Sequence, residues 1–150
     1  MSPVVLITGA SRGIGAATAV LAAQNGWTVA VNYAQNAQAA HQVVQHIESA
    51  GGKALAVQAD VGEEAQILRM FDEIDTKLGC LSGLVNNAGV VDVTANVQDQ
   101  SWARWERMMR INVLGSFACA REAIQRMSTA RSGAGGTGRP EGLDKGYYVQ

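Results

Sequence analysis

The stretch VVLITGASRGIG, residues 4–15, decides the fold of this chain. It begins with four apolar residues, which is typical of a short strand buried in a parallel sheet. A turn rich in glycine follows, and from Gly13 the pattern of small and apolar residues is that of a helix. The stretch therefore predicts a strand, a tight turn and a helix in direct succession.

Each glycine of the turn has a distinct physical use. Gly9 permits the tight turn, Gly13 lets the backbone approach a pyrophosphate, and Gly15 allows the helix to pack closely on the strand. The start of the helix offers unpaired N–H groups and a partial positive charge to phosphate oxygens. The alternative is a turn whose glycines serve packing only.

The rest of the chain alternates between strands and helices up to about residue 130. This alternation predicts an α/β fold, a Rossmann-type doubly wound parallel sheet with right-handed crossovers. We expect the sheet to be truncated after the fourth strand and the long helix that follows it. The predicted strands are 4–7, 27–31, 54–57 and 81–85, and the predicted helices are 13–25, 36–50, 63–78, 101–110 and 111–130.

The pattern fails after residue 130. Glycine, proline and charged residues dominate, and no apolar periodicity remains. We therefore predict a dinucleotide-binding domain over residues 1–130 and a flexible, glycine-rich tail over 131–150. Two alternatives stay open for the tail: an ordered glycine-rich loop, or an ordered C-terminal segment docked through Tyr147, Tyr148 and Val149.

Composition narrows the classes of function. The chain has 150 residues, a net charge of −1 and 47% hydrophobic residues, which indicates a globular protein without a basic surface for nucleic acid. No apolar run is long enough to span a membrane, and the N-terminus does not resemble a signal peptide. Cys80 and Cys119 are expected to be reduced thiols in a cytoplasmic protein. No metal site is expected, since His41 and His46 lie five residues apart on one helix.

Four short motifs occur in an order that resembles the short-chain dehydrogenase/reductase family. The turn has the form T-G-x-x-x-G-x-G at residues 8–15, and Asp60-Val61 follows the third strand. Asn86-Asn87-Ala88-Gly89 follows the fourth strand, and Ile111-Asn112-Val113 opens the long helix. The resemblance covers residues 3–130, about the first half of a typical member. It implies hydride transfer between a nicotinamide cofactor and a carbonyl or alcohol substrate.

The resemblance also implies roles for individual residues. Ser11, Arg12 and Ile14 would lie along the cofactor's phosphates and ribose, together with the three glycines. Asp60 and Val61 would border the adenine ring, although Asp60 could instead cap the next helix. The nicotinamide-side ribose would be flanked by Asn87, Ala88 and Gly89. Asn112 matches the family's active-site asparagine, whose backbone carbonyl helps to hold a water; alternatively it is a buried asparagine at a helix kink.

The end of the second strand bears on the choice of cofactor. It reads Val31-Asn32-Tyr33-Ala34, without the carboxylate that usually holds a ribose 2′-hydroxyl. Arg12 supplies a cation that can pair with a 2′-phosphate, and Asn32 and Tyr33 could add hydrogen bonds. These features favour NADP(H) over NAD(H), unless Arg12 is a solvated surface residue.

The chemistry of the family needs a serine, a tyrosine and a lysine four residues after the tyrosine. Tyr147 and Tyr148 have no such lysine, since Lys145 precedes both. We therefore expect the chain alone to be inactive: either a truncated or frameshifted oxidoreductase, or an NADP(H)-binding or assembly module. The fourth strand would then be an edge strand prone to self-association. The helix at 111–130 is where the family commonly forms dimers.

Overall fold

The computed structural model describes residues 2–91, 93–128 and 147–149, the last three by their backbone only. The strands in these ranges are β1 (Val4–Ile7), β2 (Thr28–Tyr33), β3 (Lys53–Gln58), β4 (Leu81–Val85) and β5 (Tyr147–Val149). The α-helices are α1 (Gly13–Gln24), α2 (Ala37–Ser49), α3 (Glu64–Lys77), α4 (Trp102–Met109) and α5 (Ser116–Met127). A short 3-10 turn (Val97–Asp99) precedes α4, and a π-helical segment (Arg110–Gly115) joins α4 to α5.

The strands form one parallel sheet in the order β3-β2-β1-β4-β5. β1 lies in the middle, where Leu6 is level with Ala30 of β2 and Leu84 of β4. All four residues of β1 are buried, as its unbroken apolar run predicts. The predicted Rossmann-type sheet is therefore confirmed, with β2 two residues longer at its carboxyl end than the sequence indicates.

Successive residues of β1 pack into two separate cores, one on each face of the sheet. Val4 and Leu6 join a core formed with α3 and α5, which includes Ile67, Phe71 and Cys119. Val5 and Ile7 join the core on the other face, formed with α1 and α2. Full burial of one such aliphatic side chain contributes about 1.5–3 kcal/mol, so the two faces together fix the register of the central strand.

One expectation about the sheet is wrong. β4 is not an edge strand in the described structure, because β5 pairs with it in parallel, Gly83 opposite Tyr147 and Val85 opposite Val149. The alternative of an ordered C-terminal segment therefore holds for the backbone of Tyr147–Val149. Residues 129–146, most of the predicted tail, lie outside the described residues, so the flexible tail stays a prediction.

The two helices predicted at 101–110 and 111–130 form one interrupted helical run that ends at Met127. The interruption is the π-helical segment, whose Gly115 lies against the loop after β3: a Cβ there would run into the carbonyl oxygen of Val61. No helix among the described residues is both long and apolar enough to cross a bilayer.

A cluster of charged side chains holds α5 against α3. The Arg126 guanidinium contacts Asp72 at 3.3 Å, Asp75 at 2.6 Å and Glu122 at 3.0 Å, and it lies 4.9 Å from the centre of the Phe71 ring. The Glu122 residue is only 5% exposed, so its charge is compensated inside the fold. The cluster fixes the helix that continues from the π-helical segment.

Candidate functional site

The carboxyl ends of four strands meet at one edge of the sheet, and the turns that leave them carry the predicted site residues. The connection after β1 leads to α1 on one face, whereas the connection after the neighbouring strand β4 leads to α4 and α5 on the other. The crevice between such diverging connections is where open α/β sheets bind their ligands. We refer to this place as the carboxyl edge.

Thr8 joins the turn after β1 to the turn after β4. Its hydroxyl oxygen accepts hydrogen bonds from the N–H of Asn87 at 3.0 Å and of Ala88 at 2.9 Å. The Asn87 amide in turn donates to the carbonyl oxygens of Thr8 at 2.8 Å and of Gly9 at 3.1 Å. The two motifs thus form one rigid unit, although they lie far apart in the sequence.

Steric constraints require glycine at two positions of this unit. Gly9 has a φ of +63°, and a Cβ on it would lie 2.9 Å from the Cα of Ala88. A Cβ on Gly15 would lie 2.5 Å from the Nδ2 of Asn87 and 2.6 Å from the carbonyl oxygen of Gly9. All three distances are too short for a real side chain, which agrees with the predicted use of these two glycines.

Gly13 faces open space. Its φ is +56°, a Cβ on it would meet nothing within 4 Å, and α1 begins at this residue. The N–H groups of the first turn of a helix lack partners within the helix, so they point toward this space. Ser11 is half-buried beside it, whereas Ile14 is 80% exposed. An open turn with free N–H donors fits the pyrophosphate of a dinucleotide.

Asn32 has a different role from the predicted contact with the cofactor. The residue is 1% exposed, its Oδ1 accepts a hydrogen bond from the N–H of Gly9 at 3.0 Å, and its Nδ2 donates to the carbonyl oxygens of Val57 at 3.3 Å and Ala59 at 3.1 Å. Both ends of the amide are occupied by backbone. The side chain therefore ties the glycine turn to β2 and β3 and leaves no donor for a phosphate.

Arg12 and Tyr33 lie at the surface of the carboxyl edge. The Arg12 side chain is exposed and makes no ion pair with any described residue. Tyr33 is half-buried, with its ring tilted against that of His41 at 6.5 Å between centroids. A guanidinium without an ion pair to a described residue and a phenol thus lie at the carboxyl edge.

Asp60 and Val61 form the turn after β3. The Asp60 carboxylate accepts a hydrogen bond from the N–H of Gly62 at 2.9 Å, and its own N–H donates to the side chain of Gln66 at 2.9 Å. Its backbone carbonyl accepts from the N–H of Glu63, so the side chain shapes the turn before α3 and does not bond to the first turn of the helix. Val61 is buried.

Asn112 lies in the π-helical segment and holds the loop after β4. Its Oδ1 accepts from the N–H of Val90 at 2.8 Å, and its Nδ2 donates to the carbonyl oxygen of Val90 at 2.9 Å. The backbone carbonyl of Asn112 accepts a hydrogen bond from the Ser116 hydroxyl at 3.3 Å. Both ends of the Asn112 side chain thus bond to Val90, and the residue fixes the loop after β4.

Sequence reasoning missed two residues of this edge. In the sequence Thr8 is only one position of the turn motif, although its hydroxyl carries the contact between the two turns. A threonine at the start of such a turn was the available signal. Gln66, which holds the backbone of Asp60, has no signal in the sequence because nothing in its spacing distinguishes it from other polar residues of α3.

Two further expectations concern groups away from the carboxyl edge. No cluster of three potential metal ligands occurs among the described residues, and both cysteines are free thiols. Tyr147 and Tyr148 lie in β5, where only their backbone is described, so the prediction that neither is catalytic is untested. In this sequence no tyrosine is followed by a lysine four residues later.

The pattern of the short chain dehydrogenase family matches residues 3–135, which is most of the chain. The chain belongs to the short-chain dehydrogenase family. Among curated relatives of this chain, the uncharacterized oxidoreductase YgfF of Escherichia coli is 48% identical over 133 residues, which cover 89% of this chain and 54% of YgfF. The 3-oxoacyl-(acyl-carrier-protein) reductase FabG of Staphylococcus aureus is 37% identical over 136 residues, 89% of this chain and 54% of FabG.

Solved structures of the family superpose on this one. The short-chain dehydrogenase/reductase of Serratia marcescens gives a TM-score of 0.80 at 35% identity, covering 83% of this chain and 51% of that one. A short chain dehydrogenase of Burkholderia cenocepacia in complex with NADP gives 0.78 at 34% identity, covering 81% of this chain and 49% of that one. The chain spans about half the length of the relatives that it matches.

Proposed function

We propose that this chain binds NADP(H) at the carboxyl edge, as the cofactor-binding part of an oxidoreductase. One observation carries the proposal: the glycine turn and the turn after β4 are locked together around an open cradle at Gly13, and Arg12 beside it makes no ion pair with a described residue. The cofactor would supply the hydride that passes between its nicotinamide and a carbonyl or alcohol carbon. The residues of this chain bind and orient it.

The proposed contacts follow the positions of the residues. The N–H groups at the start of α1, with Ser11 and Ile14 beside them, would hold the pyrophosphate and its ribose. Asp60 and Val61 would border the adenine, and Asn87, Ala88 and Gly89 would flank the nicotinamide-side ribose. Asn112 is the third residue of the π-helical segment, and its carbonyl oxygen would help to hold a water near the reacting groups.

The preference for NADP(H) rests on charge. No carboxylate ends β2, so nothing there repels a 2′-phosphate or is placed to accept from a 2′-hydroxyl. The Arg12 guanidinium makes no ion pair among the described residues and can form two parallel hydrogen bonds to a phosphate. The Burkholderia relative in complex with NADP supports this choice.

Titration calorimetry with NADP(H) and NAD(H) tests the preference. We expect NADP(H) to bind more tightly, and Arg12→Gln to weaken NADP(H) binding about tenfold or more while NAD(H) binding hardly changes, because a hydrogen bond to a charged group is worth about 1.5–3 kcal/mol. Arg69→Gln on the exposed side of α3 is the matched control. Equal loss for both cofactors, or no heat with either, would contradict the proposal.

A second candidate is a module that binds NADP(H) without turnover. It rests on the glycine turn and its contact with the turn after β4, which can bind a dinucleotide without a proton-transferring side chain. Oxidation of NADPH followed at its absorbance band, against a panel of aldehydes and ketones, separates the two candidates. The module predicts binding with no oxidation above the rate without protein, whereas steady turnover would show that other residues supply the proton.

The position of the chain in the cell and its association belong to the same proposal. Two free thiols fit a reducing compartment, so we place the protein in the cytoplasm.

Leu114, Phe117 and Ile124 are exposed along one side of the helical run that ends at Met127. Such an apolar stripe favours a homodimer through this helix, and sedimentation velocity with Phe117→Glu tests it: the variant should be monomeric.

A further inference from the structure

His41 lies on α2, in contact with a residue at the carboxyl edge. It is the fifth residue of the helix, which begins soon after the carboxyl end of β2. Its imidazole lies against the Tyr33 ring, with 6.5 Å between the ring centroids and 54° between the ring planes. His41 is exposed, so its imidazole is accessible to a ligand at this edge.

Backbone contacts place the two rings beside the glycine turn. The N–H of Ala10 donates to the carbonyl oxygen of Asn32 at 2.8 Å, so the glycine turn runs alongside the last residues of β2. Tyr33 comes next, and its ring packs on the core formed with α1 and α2. Arg12 immediately precedes α1 on this same face of the sheet. The three side chains of Arg12, Tyr33 and His41 therefore lie on one face, where the 2′-phosphate is proposed to bind.

The elements around His41 carry little negative charge. α2 packs mainly against α1, β2 and β3. No side chain of α1 is ionisable, β2 has only Tyr33, and β3 has only Lys53, at its amino end. The other ionisable residues of α2 are His46 and Glu48, and Glu48 lies about 10 Å farther along the helix than His41. A proton gained by His41 therefore adds a charge that no carboxylate of these elements neutralises at short range.

The carboxylate that follows β3 is engaged on the other side of the sheet. The Asp60 side chain accepts a hydrogen bond from the N–H of Gly62 at 2.9 Å, in the loop that leads to α3. α3 packs on the opposite face of the sheet from α1 and α2. Arg12 and His41 thus share a face of the carboxyl edge on which a phosphate meets positive charge.

We propose that His41 is a second determinant of the cofactor preference: its protonated imidazole favours the 2′-phosphate, so the preference for NADP(H) over NAD(H) rises as the pH falls. This role rests on the proposed function, because it needs the dinucleotide at the carboxyl edge. A histidine ordinarily changes its charge between about pH 5 and 8, whereas an arginine stays charged throughout. Arg12 therefore supplies a constant part of the preference, and His41 supplies a part that depends on pH.

A purely structural role of His41 would give a different result. NADP⁺ and NAD⁺ differ only in the 2′-phosphate. If the imidazole only packed on Tyr33, its replacement would change the binding of both cofactors alike at every pH. A charge that acts on the 2′-phosphate separates the two cofactors, and it does so only while the imidazole is protonated.

Titration calorimetry with NADP⁺ and NAD⁺ at about pH 6, 7 and 8.5 tests the role. The preference is the dissociation constant of NAD⁺ divided by that of NADP⁺. His41→Gln carries no charge at any of these pH values, and His41→Lys is charged at all of them. A phosphate monoester takes up its second proton near pH 6, which lowers the preference in every variant. Each preference is therefore divided by that of His41→Gln at the same pH.

The resulting quotient should depend on pH in the unaltered protein only. We expect it to be about 1 at pH 8.5 and about two- to fivefold at pH 6, the size of a partly exposed charge pair. His41→Lys should keep a quotient of about two- to fivefold at all three pH values. Because the charge is exposed, 0.5 M salt should bring every quotient close to 1.

His46→Gln is the matched control. His46 is also exposed on α2, but it lies about 7.5 Å farther along the helix from the carboxyl edge. Its replacement should leave the preference of the unaltered protein unchanged at every pH. A quotient that does not vary with pH, or an equal effect of His46→Gln, would overturn the role of His41 while the preference due to Arg12 remains. No binding of either cofactor would remove the proposed function and this role together.

Discussion

The buried amide of Asn32 connects three parts of the backbone at the carboxyl edge. It accepts from the glycine turn and donates to two carbonyl groups at the end of β3. A single side chain of this kind is worth more than its own hydrogen bonds, because its removal leaves several buried backbone groups unsatisfied. It thereby supports the geometry of the cradle without touching the ligand itself.

Replacement of Asn32 should therefore destabilise the fold. We expect Asn32→Ala to lower the free energy of unfolding by about 1–3 kcal/mol, since the N–H of Gly9 and two carbonyls lose their partner. Urea denaturation followed by circular dichroism measures it. The matched control is Asn36→Ala, which removes only a cap from α2 and should cost about 1 kcal/mol. A smaller loss for Asn32→Ala than for the control would contradict this role.

Cys119 makes stability depend on alkaline pH. Burial, and to a lesser extent the Glu122 carboxylate, raise the pKa of its thiol from 9.0 to about 12. As the pH rises, the unfolded chain loses this proton before the folded protein does. The stability that the protonated thiol contributes to the folded state is therefore fully present below pH 9.0 and is lost as the pH rises toward about 12.

Through this one group, the free energy of unfolding should fall by at most about 1.4 kcal/mol for each pH unit. Urea denaturation of the protein and of Cys119→Ala at several pH values between 8 and 11 isolates it from the titration of other groups. The stability difference between the two proteins should shrink as the pH rises through this window. A difference that stays constant would show that the thiol ionises equally in both states.

At the scale of elements, the π-helical segment and the loop after β3 depend on each other. Gly115 lets the segment approach the carbonyl of Val61, and Asn112 on the same segment clamps Val90. The loop and the segment carry residues expected to border opposite ends of the cofactor. The distance between the loop and the π-helical segment is therefore set by Gly115.

A side chain at position 115 should displace both the π-helical segment and the loop after β3. We expect Gly115→Ala to cost about 1–3 kcal/mol of stability, because the methyl group overlaps backbone that cannot move away easily. It should also weaken cofactor binding, since Val61 is displaced. Leu114→Ala is the control, because this neighbouring side chain is 60% exposed. Thermal unfolding and calorimetry measure the two effects, and a Gly115→Ala protein as stable as the control would exclude the close packing.

At the scale of the whole molecule, β5 completes the sheet on the β4 side. Its three residues pair with Gly83, Leu84 and Val85, the residues that lead into the turn at Asn86. The pairing covers the backbone of β4, which would otherwise present a free edge.

Removal of β5 should therefore promote association. We expect a chain shortened by residues 147–150 to form larger species as its concentration rises, because the exposed edge of β4 can pair with another copy. Light scattering coupled to size-exclusion chromatography measures it, with Val149→Pro as a point variant that removes one backbone donor. Identical profiles for all three proteins would show that β5 does not protect β4.

The sequence predicted the parts of the molecule that depend on local pattern. The apolar run of β1, the three glycines and the spacing of the helices follow from periodicity and backbone sterics, and the structure confirms them. Local pattern did not predict the partners of the Asn32 side chain. Its position at the end of a strand indicated a ligand contact, but the direction of its side chain depends on neighbours more than twenty residues away.

By itself the sequence determined the order of strands and helices, the place of the phosphate-binding turn and the resemblance of the chain to its family. Each of these is encoded within a few neighbouring residues. The tertiary structure alone decided that Thr8 joins the two turns and that β5 lies beside β4. Such contacts join residues distant in the chain, and packing of the sheet and helices, which no local pattern encodes, brings them together.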